Sequence, residues 1–334
     1  MRREATAAAG TIRRLHVHSA LLGANLLGDS ADRLVDVYVP HGHSGAGLPL
    51  LVDLVGYTAG GPAHTNWKNF GENVPERLDR LIGTGAMPPV VVAFPDCFTK
   101  LGGNQYINSA AVGPWADFLI REAVPRVEMD FGCGGQGRRG VFGKSSGGYG
   151  SLVHAMLYPE FWAAAACHSG DMGFELCYLP GLARSLREFA RTGGIKAWLD
   201  EFYARPKVKD DDVQHLEMLG MCASYDPDPD AYLGLRLPID METAEIILER
   251  WANFAKWDPV NMIETRSAGL KSLRALYIDC GDVDQFNLLY GARRFTRALQ
   301  RLGVPHRYEE FPDNHSSVDF RMDVSLPFLA KALA

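Results

Sequence analysis

The sequence has few cysteines, and none of them is spaced for a metal site. Six cysteines are scattered over 334 residues without a Cys-x-x-Cys pair, at Cys97, Cys133, Cys167, Cys177, Cys222 and Cys280. Several stand beside apolar, strand-like residues, as reduced and buried thiols commonly do. No group of histidines, cysteines or carboxylates has the spacing of a catalytic metal site. The sequence therefore predicts neither disulfides nor a metal or other cofactor.

Long apolar runs and basic runs are also absent. No segment approaches the roughly 18 consecutive apolar residues of a transmembrane helix, and no apolar run of signal-peptide length follows the arginines near the N-terminus. The net charge is −6, and no run of lysine or arginine is long enough to follow a phosphate backbone. We therefore expect a soluble, cytoplasmic protein that binds neither membrane nor nucleic acid. The oligomeric state, including a homodimer, is left open.

The chain does contain a regular alternation of apolar, strand-like runs with helix-like segments. Hydrophobic residues make up 47% of the chain, enough for the core of one large domain that includes all 334 residues. The predicted strands are residues 34–39, 48–55, 88–95, 138–142, 161–167, 273–280 and 306–311. This alternation predicts the α/β class, with a doubly wound, mostly parallel sheet.

Two segments do not follow this alternation. Residues 1–30 are rich in alanine, glycine and arginine and weakly patterned, which predicts an N-terminal arm leading into an edge strand. Residues 172–267 are dominated by helix-like segments, which predicts an inserted, mainly helical cap. Aromatic residues of this cap would line a substrate pocket, although core packing is the commoner explanation for any single one of them. The candidate substrate-binding residues are Trp251, Trp257 and Tyr225.

Residues Gly143 to Gly147 read Gly-Lys-Ser-Ser-Gly, a G-x-S-x-G motif between a predicted strand and an apolar helix. In a nucleophile elbow, this motif holds the serine in a strained turn with its hydroxyl exposed above the carboxyl ends of a parallel sheet. The flanking positions are glycine because side chains there would collide with the neighbouring strand and helix. Ser145 is therefore the candidate nucleophile.

Two backbone amides, one at this motif and one in an earlier loop, are candidates for an oxyanion hole. The Ser146 amide stands at the N-terminus of the predicted helix, where N–H groups can donate to a developing negative charge. A glycine-rich loop, Gly56 to Pro62, follows an early central strand, which is where the second donor is placed in folds that use this elbow. The Tyr57 amide is the candidate there, although the loop also reads as an ordinary connection between a strand and a helix.

A serine nucleophile needs a base and a carboxylate, because its hydroxyl is almost un-ionised at neutral pH. In folds with this elbow, the chain order is serine, acid, histidine. His315 follows the last predicted strand and is the candidate base. Asp284, in the loop after the preceding strand, is the leading candidate for the acid. Asp282 beside it and Asp171 after another strand remain alternatives.

Three motifs together resemble the esterase D-like putative esterase family of α/β-hydrolases. They are Gly143 to Gly150 (GKSSGGYG), Gly281 to Phe286 (GDVDQF) and Asn314 to Ser316 (NHS). The resemblance covers about residues 30–330 in the order of elements. The family includes S-formylglutathione hydrolases, feruloyl esterases, enterochelin esterases and mycobacterial mycolyltransferases.

The resemblance implies an α/β-hydrolase fold and a metal-free serine esterase. It implies Ser145 as nucleophile, Asp284 as acid and His315 as base, with the Tyr57 and Ser146 amides as the oxyanion hole. Residues 172–267 are longer than the corresponding region of S-formylglutathione hydrolases, so the identity of the substrate does not carry over.

Three functions are the main candidates for these residues. A peptidase is a further option, but ester and thioester chemistry dominates the family that the chain resembles. The leading hypothesis is a serine carboxylesterase that acts on a small-molecule carboxylic ester or thioester through an acyl-Ser145 intermediate. An acyltransferase would use the same triad with an alcohol acceptor in place of water. A non-catalytic ligand-binding protein on the same scaffold is the third, but the intact Ser, Asp, His order argues against it.

Overall fold

An eight-stranded sheet forms the centre of the computed structural model, which describes residues 7–209 and 211–334. The strands of the protein are β1 (Thr11–His18), β2 (Asp32–Val39), β3 (Leu50–Leu54), β4 (Val91–Pro95), β5 (Asn108–Ser109), β6 (Gly113–Pro114), β7 (Arg139–Lys144), β8 (Ala164–His168), β9 (Ala275–Gly281) and β10 (Arg307–Phe311). The order in the large sheet is β1-β2-β4-β3-β7-β8-β9-β10, and β5 and β6 pair separately.

The large sheet is mostly parallel. Strands β4, β3, β7, β8, β9 and β10 run parallel to one another, whereas β2 pairs antiparallel with both β1 and β4 at one edge. Every residue of β3, β4, β8 and β9 is buried. Burial on both faces explains why these strands are continuous apolar runs rather than alternating ones. All seven strands predicted from the sequence are present in the sheet.

Helices cover both faces of this sheet. The α-helices are α1 (Pro62–Thr65), α2 (Val74–Gly83), α3 (Trp115–Asp117), α4 (Val124–Phe131), α5 (Ser146–Leu157), α6 (Phe174–Cys177), α7 (Leu179–Thr192), α8 (Ile195–Ala204), α9 (Asp212–Tyr225), α10 (Leu248–Ala255), α11 (Pro259–Lys271), α12 (Leu288–Leu302) and α13 (Met322–Leu333). A π-helical segment, Phe118–Ala123, joins α3 to α4, and short 3-10 helices form at Leu22–Ala24, Tyr232–Gly234 and Val318–Arg321.

The two faces have separate apolar cores. On one face Leu78 of α2 and Leu326 of α13 pack in the same buried cluster. On the other face Leu152 of α5, Ile263 of α11 and Phe295 of α12 belong to a larger cluster. Helices on both sides of a mostly parallel sheet are the doubly wound arrangement that the sequence predicts.

Helices α6 to α11 lie between β8 and β9, where the sequence predicts the inserted cap. The last of them, α11, packs directly against α5. A Cβ added at Gly269 of α11 would lie 2.9 Å from the Met156 oxygen and 3.0 Å from the Ala155 oxygen, so only glycine permits this approach. The end of the predicted 172–267 segment, from Pro259 onward, therefore belongs to the helical layer on the sheet.

Three helices before α11, namely α7, α8 and α9, pack around an aromatic cluster of their own. The ring of Trp198 in α8 lies 5.5 Å from that of Phe189 in α7 and 5.8 Å from that of His215 in α9. Ser185 of α7 also hydrogen-bonds His215 Nδ1 at 2.8 Å. These contacts bind α7, α8 and α9 into one layer.

The N-terminal segment is only partly an arm. Residues 1–6 of the predicted arm lie outside the described residues, but β1 pairs with β2 along its full length from Thr11 to His18. The Arg14 guanidinium binds both carboxylate oxygens of Asp36, at 2.7 and 2.9 Å. The edge strand therefore begins earlier than the apolar pattern of the sequence indicates. Within the described part of the chain, no helix is both long and apolar enough to cross a membrane.

Candidate active site

Ser145 occupies the sharp turn between β7 and α5. Its backbone has φ 58° and ψ −126°, a conformation that residues other than glycine rarely adopt. A Cβ at Gly143 would lie 2.2 Å from the Leu54 oxygen, and one at Gly147 only 1.7 Å from the same atom. The Ser145 N–H donates to the His168 oxygen at 2.9 Å. The two glycines thus let the turn approach β3 closely, and the strained serine is held in place by β8.

His315 and Asp284 come from the loops that follow β10 and β9. His315 Nδ1 lies 2.7 Å from Asp284 Oδ2, and both side chains are buried. The second Asp284 oxygen accepts a hydrogen bond from the Phe286 N–H at 2.9 Å. The His315 N–H donates to Gln285 Oε1 at 3.0 Å, and the Phe286 ring packs edge-on against the imidazole. Several contacts therefore fix the imidazole with Nδ1 towards the carboxylate.

The three aspartates considered as the acid occupy different environments. Asp282 is exposed to solvent. Asp171 is buried and accepts hydrogen bonds from the Tyr178 hydroxyl at 2.9 Å and the Ser146 hydroxyl at 3.1 Å. Burial raises the pKa of Asp171. Of the three carboxylates, Asp284 is the one in hydrogen-bond contact with His315.

Ser145 and His315 open into one cavity of about 300 Å³ at the carboxyl ends of the parallel strands. Its lining is Gly56, Tyr57, Thr58, Lys144, Ser145, Asp171, Cys177, Tyr178, Val213, Gln214, Glu217, Met218, Gln285, Phe286, Leu288, His315 and Ser316. Burial lowers the pKa of the Lys144 ammonium beside Ser145. The cavity therefore joins residues from five strand-end loops with residues from α6, α9 and α12.

The two candidate oxyanion donors flank this cavity. Ser146 is the first residue of α5, and the first N–H groups of a helix have no acceptor within that helix. Its side chain is buried and accepts a hydrogen bond from Gln105 Nε2 at 2.7 Å. Tyr57 lines the cavity, and its hydroxyl donates to the Leu101 oxygen at 2.7 Å. The hydroxyl groups of both side chains are thus engaged in hydrogen bonds with neighbouring loops.

The three aromatic candidates for substrate binding are not part of the described lining of this cavity. The Trp251 ring stacks on Phe254 within the insertion. Trp257 lines a different cavity, of about 620 Å³, between α10 and α11. Tyr225 is buried behind the site, with its hydroxyl 3.3 Å from that of Tyr178. The structure therefore does not bring these aromatic residues to Ser145.

The insertion instead contributes residues that the sequence reasoning missed. Val213, Gln214, Glu217 and Met218 of α9 form one wall of the cavity, and Cys177 and Tyr178 adjoin them. The one signal that could have pointed there is Glu217, a carboxylate within the apolar stretch Leu216 to Ala223. Among the described residues, no group of three or more histidines, cysteines or carboxylates is arranged to hold a metal ion.

Comparison with known proteins identifies the family. A model of the family described as putative esterase matches residues 30–326. The chain belongs to the putative esterase family. The esterases Rv1288 and MT1326 of Mycobacterium tuberculosis are each 24% identical to it over 241 residues, which is 68% of this chain and 42% of each relative. The chain thus spans less than half the length of these curated relatives.

Solved structures share the whole fold. A ferulic acid esterase superposes with a TM-score of 0.61 at 18% identity, covering 98% of this chain and 99% of the other. The S-formylglutathione hydrolase FrmB of Staphylococcus aureus gives 0.58 at 15% identity, covering 98% and 100%. A fluorophosphonate-binding serine hydrolase of the same organism, FphF, gives 0.60 at 16% identity, with the same coverage. The α/β-hydrolase fold and the family predicted from the three motifs are confirmed.

Proposed function

We propose that the protein is a serine carboxylesterase that hydrolyses small-molecule carboxylic esters or thioesters through an acyl-Ser145 intermediate. The observation that carries this proposal is the shared cavity, which holds a serine in a strained turn and a histidine bonded to a buried aspartate. Membership of the putative esterase family and the esterase names of its relatives support it.

In the first half of the reaction, His315 Nε2 takes the proton of the Ser145 hydroxyl as its oxygen attacks the carbonyl carbon of the ester. Asp284 accepts from Nδ1, which keeps Nε2 free to act as the base, and stabilises the imidazolium that forms. The amides of Ser146 and Tyr57 donate to the oxyanion of the tetrahedral intermediate. His315 then gives its proton to the leaving alcohol or thiol.

In the second half, His315 takes a proton from water as the water oxygen attacks the carbonyl carbon of acyl-Ser145. His315 then returns this proton to the Ser145 oxygen as the acyl–oxygen bond breaks and the acid is released. An alcohol entering in place of water would make the same site an acyltransferase, and only analysis of the products separates the two reactions. The buried His315–Asp284 pair beside a strained serine argues against a ligand-binding protein without catalysis, because neither feature is needed for binding alone.

The part of the insertion before α11 would act as a cap that sets substrate choice without taking part in bond breaking. This part supplies the α9 wall of the cavity, which faces Ser145 and His315. The small size of the cavity suits a compact ester, since ligand pockets span roughly 300 to 1,000 Å³.

Labelling with a fluorophosphonate probe tests the nucleophile directly. We expect mass spectrometry of the digested protein to place the adduct on Ser145, and Ser145→Ala to abolish both labelling and hydrolysis of p-nitrophenyl acetate, because the hydroxyl is the attacking group. Ser151→Ala, in the same helix but bonded to backbone oxygens, is the matched control. More than about a tenth of the wild-type kcat in a folded Ser145→Ala protein would refute the assignment.

A further inference from the structure

One carboxylic acid in the cavity has no role in the proposed reaction. Glu217 lies in the middle of α9 and lines the cavity that contains Ser145 and His315. Its own side chain is partly buried, and the residues on either side of it in α9, Leu216 and Met218, are buried and apolar. Such a position disfavours a charged side chain unless that side chain has a partner.

Glu217 has no such partner in the structure. Across residues 7–209 and 211–334, its carboxyl group forms neither an ion pair nor a hydrogen bond with another residue. Lys144, the cation in the cavity lining, interacts instead with the carboxylates of Asp319 and Asp284. The carboxyl group of Glu217 is therefore available to bind a ligand that enters the cavity.

The groups around Glu217 make its ionised form unfavourable in the empty site. Burial, with the negative charge of Asp171, raises the pKa of Glu217 to about 8. Tyr57 and Cys177 also face it, and burial raises the pKa of each well above its usual value. Both stay neutral near pH 7 and supply no positive charge. A ligand that brings a cation would offset both the burial and the repulsion from Asp171.

We propose that Glu217 binds an ammonium group of the substrate, so that the enzyme selects small esters that carry a positive charge. The inference rests on the proposed ester hydrolysis, of which it names the substrate class. A neutral hydrogen-bond donor fits the site less well, because it does not counter the negative charge of Asp171. On binding, the Glu217 carboxyl group loses its proton to the buffer and pairs as a carboxylate with the ammonium group.

Titration calorimetry with n-butylammonium measures this exchange without any catalysis. At pH 7, the wild-type protein should release close to one proton per bound cation, read from the dependence of the heat on the ionisation enthalpy of the buffer. Affinity should rise about tenfold per pH unit towards pH 8 and then level off. The neutral ligand n-butanol should show neither effect.

Variants assign the effect to one side chain. Glu217→Gln keeps the shape and should abolish proton release, whereas Glu217→Asp keeps the charge and should retain it. Glu245→Gln removes an exposed carboxylate from the same insertion and is the matched control. The wild-type titrations decide the question even if a variant fails to fold. Absence of proton release in the wild type, or its persistence in folded Glu217→Gln, would overturn the inference.

A pair of thioesters tests selection during turnover. Acetylthiocholine and S-(3,3-dimethylbutyl) thioacetate have the same shape and differ by one positive charge, and both release a thiol that can be assayed. We expect kcat/KM to favour the cation by about tenfold or more in the wild type, and this ratio to fall towards one in Glu217→Gln. Hydrolysis of both at equal rates would refute the inference alone. Failure to hydrolyse either, or to react with a fluorophosphonate, would count against the proposed esterase.

Discussion

Changing Asp284 to asparagine removes the negative charge beside His315 while keeping the size and shape of the side chain. One Asp284 oxygen accepts from the Phe286 N–H at 2.9 Å, and the other lies 2.7 Å from His315 Nδ1. Because a backbone N–H can only donate, the asparagine must turn its carbonyl oxygen towards Phe286. Its NH₂ group then faces His315 Nδ1.

This orientation selects the wrong tautomer of His315. A donor at Nδ1 forces that nitrogen to accept, so the ring proton moves to Nε2, the atom that should take the proton from Ser145. In the serine proteases, the corresponding change lowers kcat by about 10⁴-fold, which at about 1.36 kcal/mol per factor of ten is roughly 5.5 kcal/mol. We expect Asp284→Asn to lose roughly 10³- to 10⁴-fold in kcat and to keep its fold.

The assay is p-nitrophenyl acetate hydrolysis, with circular dichroism to check the fold. Asp282→Asn is the matched control, since Asp282 lies two residues away and is exposed; it should have a kcat close to that of the wild type. Retention of more than about a tenth of kcat in Asp284→Asn would refute the reasoning on the tautomer. A larger loss in Asp171→Asn than in Asp284→Asn would show that the acid is misassigned.

Three further predictions concern the elbow, metals and pH. Gly147→Ala should not fold stably, because its Cβ would lie 1.7 Å from the Leu54 oxygen, whereas Gly23→Ala, with no atom within 4 Å, should melt like the wild type in a thermal scan. EDTA should leave ester hydrolysis unchanged, and activity that is lost in EDTA and restored by zinc or calcium would contradict the metal-free mechanism. The pKa of Glu217 is raised from 4.5 to about 8 in the folded protein, so the wild type should lose stability as pH rises between these values. Glu217→Gln should lack this loss. A difference in Tm between the wild type and Glu217→Gln that is the same at pH 5 and at pH 8.5 would contradict the raised pKa.

The sheet could be predicted from the sequence because its central strands are buried on both faces. β3, β8 and β9 are short and almost wholly apolar, and their chain positions alternate with helices. The edge strand β1 was harder to locate, because one face is open to solvent and its residues are mostly exposed. This strand is held by pairing with β2 and by the Arg14–Asp36 ion pair. Neither interaction can be predicted from the local apolar pattern of the sequence.

The proposed triad could be predicted from the sequence for a different reason. The turn around Ser145 needs glycine at two nearby positions, so backbone geometry leaves a local motif in the sequence. Asp284 and His315 stand after consecutive strands of the same parallel sheet, and the carboxyl ends of parallel strands meet at one edge. Chain order and strand position are therefore enough to propose the pair, which the structure holds at 2.7 Å.

The wall of the cavity could not be predicted in this way. Which helix of the insertion covers Ser145 depends on how α7, α8 and α9 pack together, and those contacts join residues far apart in the chain. Aromatic side chains were a poor guide, because large rings fill cores at least as often as they line pockets. Trp251 and Tyr225 pack against other aromatic residues of the protein.

Helix α9 contacts the loops around the proposed oxyanion hole as well as lining the cavity that contains Ser145. The Tyr57 side chain packs against Gly220 of α9, where an added Cβ would lie only 1.8 Å from the Tyr57 hydroxyl oxygen. Gln105, which bonds the Ser146 hydroxyl, also approaches the Met221 sulfur at 3.0 Å. Both residues proposed to supply the oxyanion hole are thus braced by the helix that carries Glu217. A substitution that shifts α9 should therefore change kcat together with substrate preference, whereas Glu217→Gln, which leaves the helix in place, should act mainly on preference.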